Sequence, residues 1–189
     1  PKSPHGIDTD PSGRWIVASG KLQPVASVFD FQKIRAAIDG RQFQGEVRGV
    51  PVLKYEAVIE GEVPVGLGPL HTQYDGKGHA YTSLYVESAV AKWRLPPWSA
   101  EDRQDLNRVV LDKIAVHYNI GHLVVGGSDT KEPYGKYLVA MNKLSKGRHI
   151  SVGPSQPESS QLIDITGNKM TMLYEAFTEP EPHFAQILK

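Results

Sequence analysis

The feature that most constrains this chain is a recurring pair: a short apolar run, a glycine-containing turn, and a second short run. Asp10-Pro11-Ser12-Gly13-Arg14 precedes Trp15–Ser19, Asp75-Gly76-Lys77-Gly78-His79 precedes Ala80–Val86, and Tyr134-Gly135-Lys136 precedes the run ending at Met141. Each reads as a hairpin turn between two strands. The run upstream of each turn opens on a histidine: His5-Gly6-Ile7-Asp8, His71-Thr72-Gln73-Tyr74 and His122-Leu123-Val124-Val125. A fourth copy starts at His183-Phe184-Ala185-Gln186, and the four histidines recur at intervals of 51 to 66 residues. Repeats of about 40–50 residues with about four strands each are the signature of propeller blades. Insertions over Ala36–Glu62 and Ser145–Gln161 account for the extra length. We therefore expect an all-β fold, a partial β-propeller of about three blades plus the start of a fourth, forming one domain over residues 1–189.

Helical periodicity is scarce. Only Phe31–Asp39 and roughly Glu101–Val109 read as short helices. Further strands are expected at Val25–Phe31, Val90–Leu95, Lys136–Met141 and Leu162–Thr166, separated by Gly, Pro, Asp and Ser clusters. A parallel α/β fold would need far more helix. Lys plus Arg and Asp plus Glu both number 21, so nothing in the charge balance points to nucleic acid or an anionic surface. The chain has no cysteine, which excludes disulfides and thiolate metal sites within it. It opens at Pro1 without Met and closes at Ile187-Leu188-Lys189 inside what reads as a strand, so a longer parent protein is expected.

There are seven histidines, at 5, 71, 79, 117, 122, 149 and 183. A single histidine is most often a surface or hydrogen-bonded residue. Four at one position of four successive repeats are different, because equivalent positions on successive blades form a ring around the propeller axis. If His5, His71, His122 and His183 open the innermost strands, their imidazoles face that axis, and four neutral imidazoles make a metal site. Imidazole suits Zn, Cu, Fe and Ni, with Cu(II) favoured by raw affinity. No carboxylate repeats beside the histidines, and there is no HExxH pair. His79, in its turn, and His149, in a polar loop, are expected to be solvated. His117 reads as a packed or surface residue that could also support a ligand imidazole.

Several segments resemble one family. Lys2-Ser3-Pro4-His5-Gly6, Ala18-Ser19-Gly20-Lys21-Leu22, Gly66-Leu67-Gly68-Pro69-Leu70-His71-Thr72, Ala80-Tyr81-Thr82-Ser83-Leu84, His117-Tyr118-Asn119-Ile120-Gly121-His122, Gln161-Leu162-Ile163-Asp164-Ile165 and Glu181-Pro182-His183 are similar to nitrous-oxide reductase. The wording around His122 and His183 looks most like the Sec-exported branch. The resemblance covers essentially the whole chain. It implies a seven-bladed propeller followed by a cupredoxin domain, in a periplasmic head-to-tail homodimer. It implies a tetranuclear copper-sulfide cluster held by seven histidines, a dinuclear copper electron-entry site outside this chain, and it leaves room for calcium. The implied reaction is two-electron, two-proton reduction of nitrous oxide to dinitrogen and water in denitrification, fed by a periplasmic donor such as cytochrome c. Under it, His5, His71, His122 and His183 match four of the seven cluster ligands. The other ligands and the N-terminal blades would lie upstream, and the cupredoxin domain downstream.

The resemblance also assigns Lys143, in Met141-Asn142-Lys143-Leu144-Ser145-Lys146, as a lysine at the cluster edge and Glu181 as its acidic neighbour. An ammonium there can stabilise developing negative charge, and a carboxylate can hold it or relay protons. From the residues alone, the two would read as a surface ion pair worth little. Two departures stand out. Gly153-Pro154-Ser155-Gln156-Pro157 occupies a place where many members carry Leu-His, and an insertion surrounds Arg41–Tyr55. The alternatives are a four-histidine non-haem iron propeller oxygenase, a non-catalytic binding scaffold, and a lactonase-type propeller, whose carboxylate and Asn ligands to calcium the repeats do not show. The isolated chain is expected to be inactive, because three implied ligands lie elsewhere.

Overall fold

A computed structural model describes residues 1–143, 158–178 and 181–188. The expectations placed on His149, on the start of the Ser145–Gln161 insertion and on Gly153–Pro157 lie outside the described residues. Among the described residues are three four-stranded antiparallel sheets and one two-stranded hairpin. The first sheet runs β1 (Pro4–Thr9), β2 (Trp15–Gly20), β3 (Ala26–Asp30) and β6 (Ile59–Val63). The second is β7 (Pro69–Tyr74), β8 (His79–Leu84), β9 (Ala89–Arg94) and β10 (Val110–Ala115). The third is β11 (Ile120–Val125), β12 (Tyr137–Asn142), β13 (Ser159–Asp164) and β14 (Thr171–Phe177). Each sheet is a meander whose first strand is innermost, and β7 lies between β1 and β11. These are three blades of a propeller.

Strand periodicity explains how the blades stack. Successive side chains point to opposite faces, and the middle blade is buried on both. Ala80 and Leu84 of β8, with Ala89, Ala91 and Trp93 of β9, pack against Trp15, Val17, Val28 and Val63 of the first blade. The intervening residues Tyr81 and Val90 pack against Ile120, Leu138 and Ile163 of the third. A sheet covered on both faces needs apolar or small residues at every position, which is why AYTSL and AVAKW do not alternate with charge. The one exception, Lys92, is buried and donates to the Gly167 carbonyl at 2.8 Å.

The turns are closed by aspartates. Asp10 accepts from the backbone N–H of Ser12 and of Trp15 at 3.1 and 2.7 Å. Asp75 does the same for Lys77 and His79 at 2.7 and 3.1 Å. In the third blade the connection is a long loop from Gly126 to Lys136 rather than a tight hairpin, so the expected Tyr134-Gly135-Lys136 turn is only its last part.

Helix α1 spans Phe31–Asp39, as the sequence predicts. Asp30 caps it by accepting from the Gln32 N–H at 2.8 Å, which satisfies a donor the helix leaves unpaired. The insertion around Arg41–Tyr55 is a projecting hairpin, β4 (Phe43–Val47) and β5 (Val50–Leu53), followed by a single turn, α2 (Tyr55–Val58). The helix expected over Glu101–Val109 is broken. Helix α3 (Ala100–Gln104) stops at Asp105, whose backbone is extended and whose side chain accepts from the Asn107 N–H to start a 3₁₀ turn over Leu106–Val109. The strand expected from His183 onward is also absent. Residues 181–188 join no ladder among the described residues, although Tyr134 donates to the Ile187 carbonyl at 2.6 Å.

Candidate metal centre

Each inner strand carries a β-bulge at its histidine. In β1, His5 and Gly6 together oppose Ser19; in β7, Leu70 and His71 oppose Ser83; in β11, Gly121 and His122 oppose Met141. A bulge places two residues against one and re-aims their side chains. The residue entering each of these strands lies in the left-handed region: Ser3 at φ 52°, Gly68 at 77° and Asn119 at 53°. Glu181, two residues before His183, has the same conformation at 54°. The fourth copy is thus recognisable by its entry geometry although no ladder follows.

The repeats are not in perfect register. His5 is the first residue of its bulge, whereas His71 and His122 are the second residues of theirs. Gly6 therefore occupies the position that histidine holds in the next two blades. A Cβ built on Gly6 would lie 1.9 Å from the Leu70 carbonyl oxygen and 2.9 Å from His71 Nδ1. Because the nearer obstacle is backbone, the strand itself would have to shift. Gly6→Ala should therefore cost about 1–3 kcal/mol, read as a lowered unfolding midpoint. An unchanged midpoint would show that β1 and β7 can separate freely.

The four rings form a continuous row. His5 and His71 meet edge to face with centroids 5.0 Å apart. His71 and His122 stack at 4.2 Å, and His122 and His183 lie tilted at 5.1 Å. The structure thus brings together all four histidines singled out in the sequence. It arranges them as a row and not a cage: among the described residues, no three His, Asp or Glu side chains gather around one point to hold a single ion.

The electrostatics favour the neutral, ligand-competent form at two of the rings, His122 and His5. Burial pushes His122 down to about 4, assisted by positive charge on His71, Lys143, His183 and His5. Burial and the neighbouring His71, Lys21 and Lys143 lower His5 as well, with Asp8 opposing. His71 Nε2 and His122 Nδ1 are buried without a hydrogen-bond partner, although buried polar atoms are normally satisfied. Two orphaned imidazole nitrogens in a row of four such rings fit the donor set of a metal group contacted from one side.

Lys143 and Glu181 both reach the row. The Lys143 ammonium, buried, donates to His183 Nε2 at 2.9 Å. His183 Nδ1 donates to the Glu181 carbonyl at 2.8 Å, and these two bonds require the same tautomer. One lone pair serves one partner, so a metal on His183 Nε2 would take the place of the Lys143 contact and leave the ammonium beside it. Glu181 meets His183 through its backbone, while its carboxylate acts on Lys143 through charge. Burial lowers the Lys143 pKa, Glu181 partly restores it, and Lys21 lowers it further.

The remaining histidines lie in other surroundings. His79 keeps part of its ring in solvent, as expected, and bonds the buried Asp75 carboxylate at 2.8 Å. His117 is held by Ser159 at 3.1 Å and Glu175 at 3.2 Å, with its backbone N–H on Gln161. A residue the sequence reading passed over is Asp8. It accepts from the Thr72 N–H at 2.8 Å and lies 3.9 Å from His71 Nδ1, so it ties β1 to β7 beside the row. Its signal was its place in the first repeat, three residues after His5.

Residues 113–183 match the family model of the nitrous oxide reductase propeller repeat. The chain is 39% identical over 183 residues, 97% of its length, to the nitrous-oxide reductase of Stutzerimonas stutzeri, and 38% identical over 190 residues to that of Ralstonia nicotianae. It spans 27% and 28% of those two relatives, about a quarter of their length. Among solved structures it is similar to a candidate 6-phosphogluconolactonase from Bacteroides uniformis, at a TM-score of 0.59 and 13% identity over 95% of this chain and 42% of that one. It is also similar to Saccharomyces cerevisiae Sqt1, at 0.56 and 8% over 95% and 37%; these two likenesses concern the fold alone. By sequence, then, the chain is similar along nearly all of its length to about a quarter of nitrous-oxide reductase, and residues 113–183 carry that family's propeller repeat.

Proposed function

We propose that this chain supplies four imidazoles, His5, His71, His122 and His183, to a multinuclear copper centre at which the whole protein reduces nitrous oxide to dinitrogen and water. The observation that carries the reading is the continuous row of four rings drawn from three blades and the start of a fourth. A row open on one side is suited to a group larger than one ion, completed by ligands from elsewhere in the protein. Copper bound there would supply the two electrons that nitrous oxide, a weak ligand and a kinetically inert oxidant, accepts readily only at an electron-rich site.

The chain's own residues do the rest. His122 and His5, which burial favours in the neutral form, offer lone pairs without a proton to displace. Lys143 sets a fixed positive charge at the edge of the row, where the departing oxygen gains negative charge and takes up two protons to become water. Glu181 offsets the cost of burying that ammonium. On the same reading, the whole protein acts in the periplasm as a head-to-tail dimer fed by a donor such as cytochrome c, and the remaining copper ligands lie in blades upstream.

The test is copper content and nitrous-oxide consumption by the whole protein with reduced viologen as donor. Copper without consumption, or consumption without copper, would overturn the reading. Within it, Lys143→Ala should keep the copper content of the parent and slow turnover by about 100-fold, the scale of losing one preorganised donor. Full turnover in that variant would remove Lys143 from the chemistry.

A further inference from the structure

The second strand of each blade is followed by one residue whose backbone N–H bonds to the entry residue of the inner strand. These are Lys21 to Ser3, Tyr85 to Gly68 and Lys143 to Asn119, at 3.1, 2.7 and 3.0 Å. Lys21, Tyr85 and Lys143 are therefore equivalent, and two of the three are lysines. Their side chains take different courses. The Lys21 amine lies over the Tyr85 ring at 5.7 Å, whereas the Lys143 amine lies on His183. The bulge beneath them differs in the same way. Its first residue is His5 in blade one, Leu70 in blade two and Gly121 in blade three.

The Lys143 side chain runs through the space a Cβ on Gly121 would occupy. That Cβ would lie 2.1 Å from Cε, 2.6 Å from Cδ and 2.7 Å from Nζ of Lys143. A side chain at position 121 would therefore close the path that Lys143 takes over the strand.

We infer that Gly121 is the positioning residue for Lys143: its missing side chain opens the path that lays the lysine across β11 and sets its ammonium on His183. The value of that placement rests on the proposed function, but the placement itself does not. What obstructs a Cβ here is the flexible end of a lysine and not backbone, so Gly121→Ala should leave the fold standing and displace the amine. This contrasts with Gly6, where the obstacle is a carbonyl.

The experiment is a brief pulse of an amine-acetylating reagent on the whole protein, read lysine by lysine by mass spectrometry. In the parent, Lys143 should label slowly, being buried. In Gly121→Ala its labelling should rise about tenfold while the buried Lys92 stays as protected as before. Unchanged labelling of Lys143 would overturn the inference. So would an equal rise at Lys92, which would make Gly121 a residue of the general fold. As a second readout, Gly121→Ala and Lys143→Met should slow turnover by similar factors, and the double variant should be no slower than Lys143→Met alone. Additive losses would count against the inference. If labelling behaves as expected but the parent protein consumes no nitrous oxide, the proposed function falls and the positioning role stands.

Discussion

Replacing His122 by alanine in the whole protein should strip copper from the propeller and lower nitrous-oxide consumption by on the order of 100-fold or more, since even partners behind a metal's ligands are worth 10–100-fold. His122 is the strongest choice because it occupies the middle of the row. It stacks on His71 on one side and meets His183 on the other, and its Nδ1 is buried without a partner. The paired control is His79→Ala, whose ring belongs to the Asp75 turn. That variant should keep copper and turnover together if it folds. Copper by elemental mass spectrometry and gas consumption decide the matter. A His122→Ala protein with full copper and full turnover would reduce the row of rings to a packing feature.

The second large effect concerns stability. Asp75 is buried and accepts four hydrogen bonds: from the N–H groups of Lys77 and His79, from the His79 ring and from the Tyr81 hydroxyl. Burial alone would push its carboxyl up, but the His79 ring and these donors outweigh it and hold the pKa below the ordinary 3.8. Asp75→Ala should cost about 1–3 kcal/mol, because it strands buried donors, the Tyr81 hydroxyl among them. Equilibrium unfolding of the parent and the variant measures the loss; a change below about 1 kcal/mol, the net worth of one ordinary hydrogen bond, would show that water replaces the carboxylate. The pH dependence follows from the sign of the shift. A carboxyl held lower in the folded state than in the unfolded one contributes fully above the unfolded pKa and loses that contribution as pH falls through the folded value. The gap between parent and variant should therefore close below about pH 4, where the unfolded carboxyl begins to bind its proton.

Much of the fold was legible because blade strands are local objects. The AYTSL and AVAKW runs, the Asp-led turns and the Asp30 cap of Phe31–Asp39 depend on neighbours a few residues away, and each appears where the residues place it. The half-buried His79 is tied to its own turn by the buried Asp75 carboxylate. The failures share a cause. The helix over Glu101–Val109 breaks because Asp105 caps a new turn in place of continuing the old one. The run from His183 forms no ladder, since a strand exists only by pairing.

The sequence by itself determined the blade repeat, the four recurring histidines and the resemblance to nitrous-oxide reductase, because short apolar runs, turn chemistry and motif order are written in consecutive residues. Only the tertiary structure decided the one-residue offset of His5 against His71 and His122. It alone decided which imidazole nitrogens are left without partners, and that Lys143 crosses Gly121 to meet a ring 40 residues away. A bulge is defined by the strand opposite, and the path of the Lys143 side chain by what the paired strand leaves open at Gly121. Both are properties of residues brought together by strand pairing, and neither has a local signature in the chain.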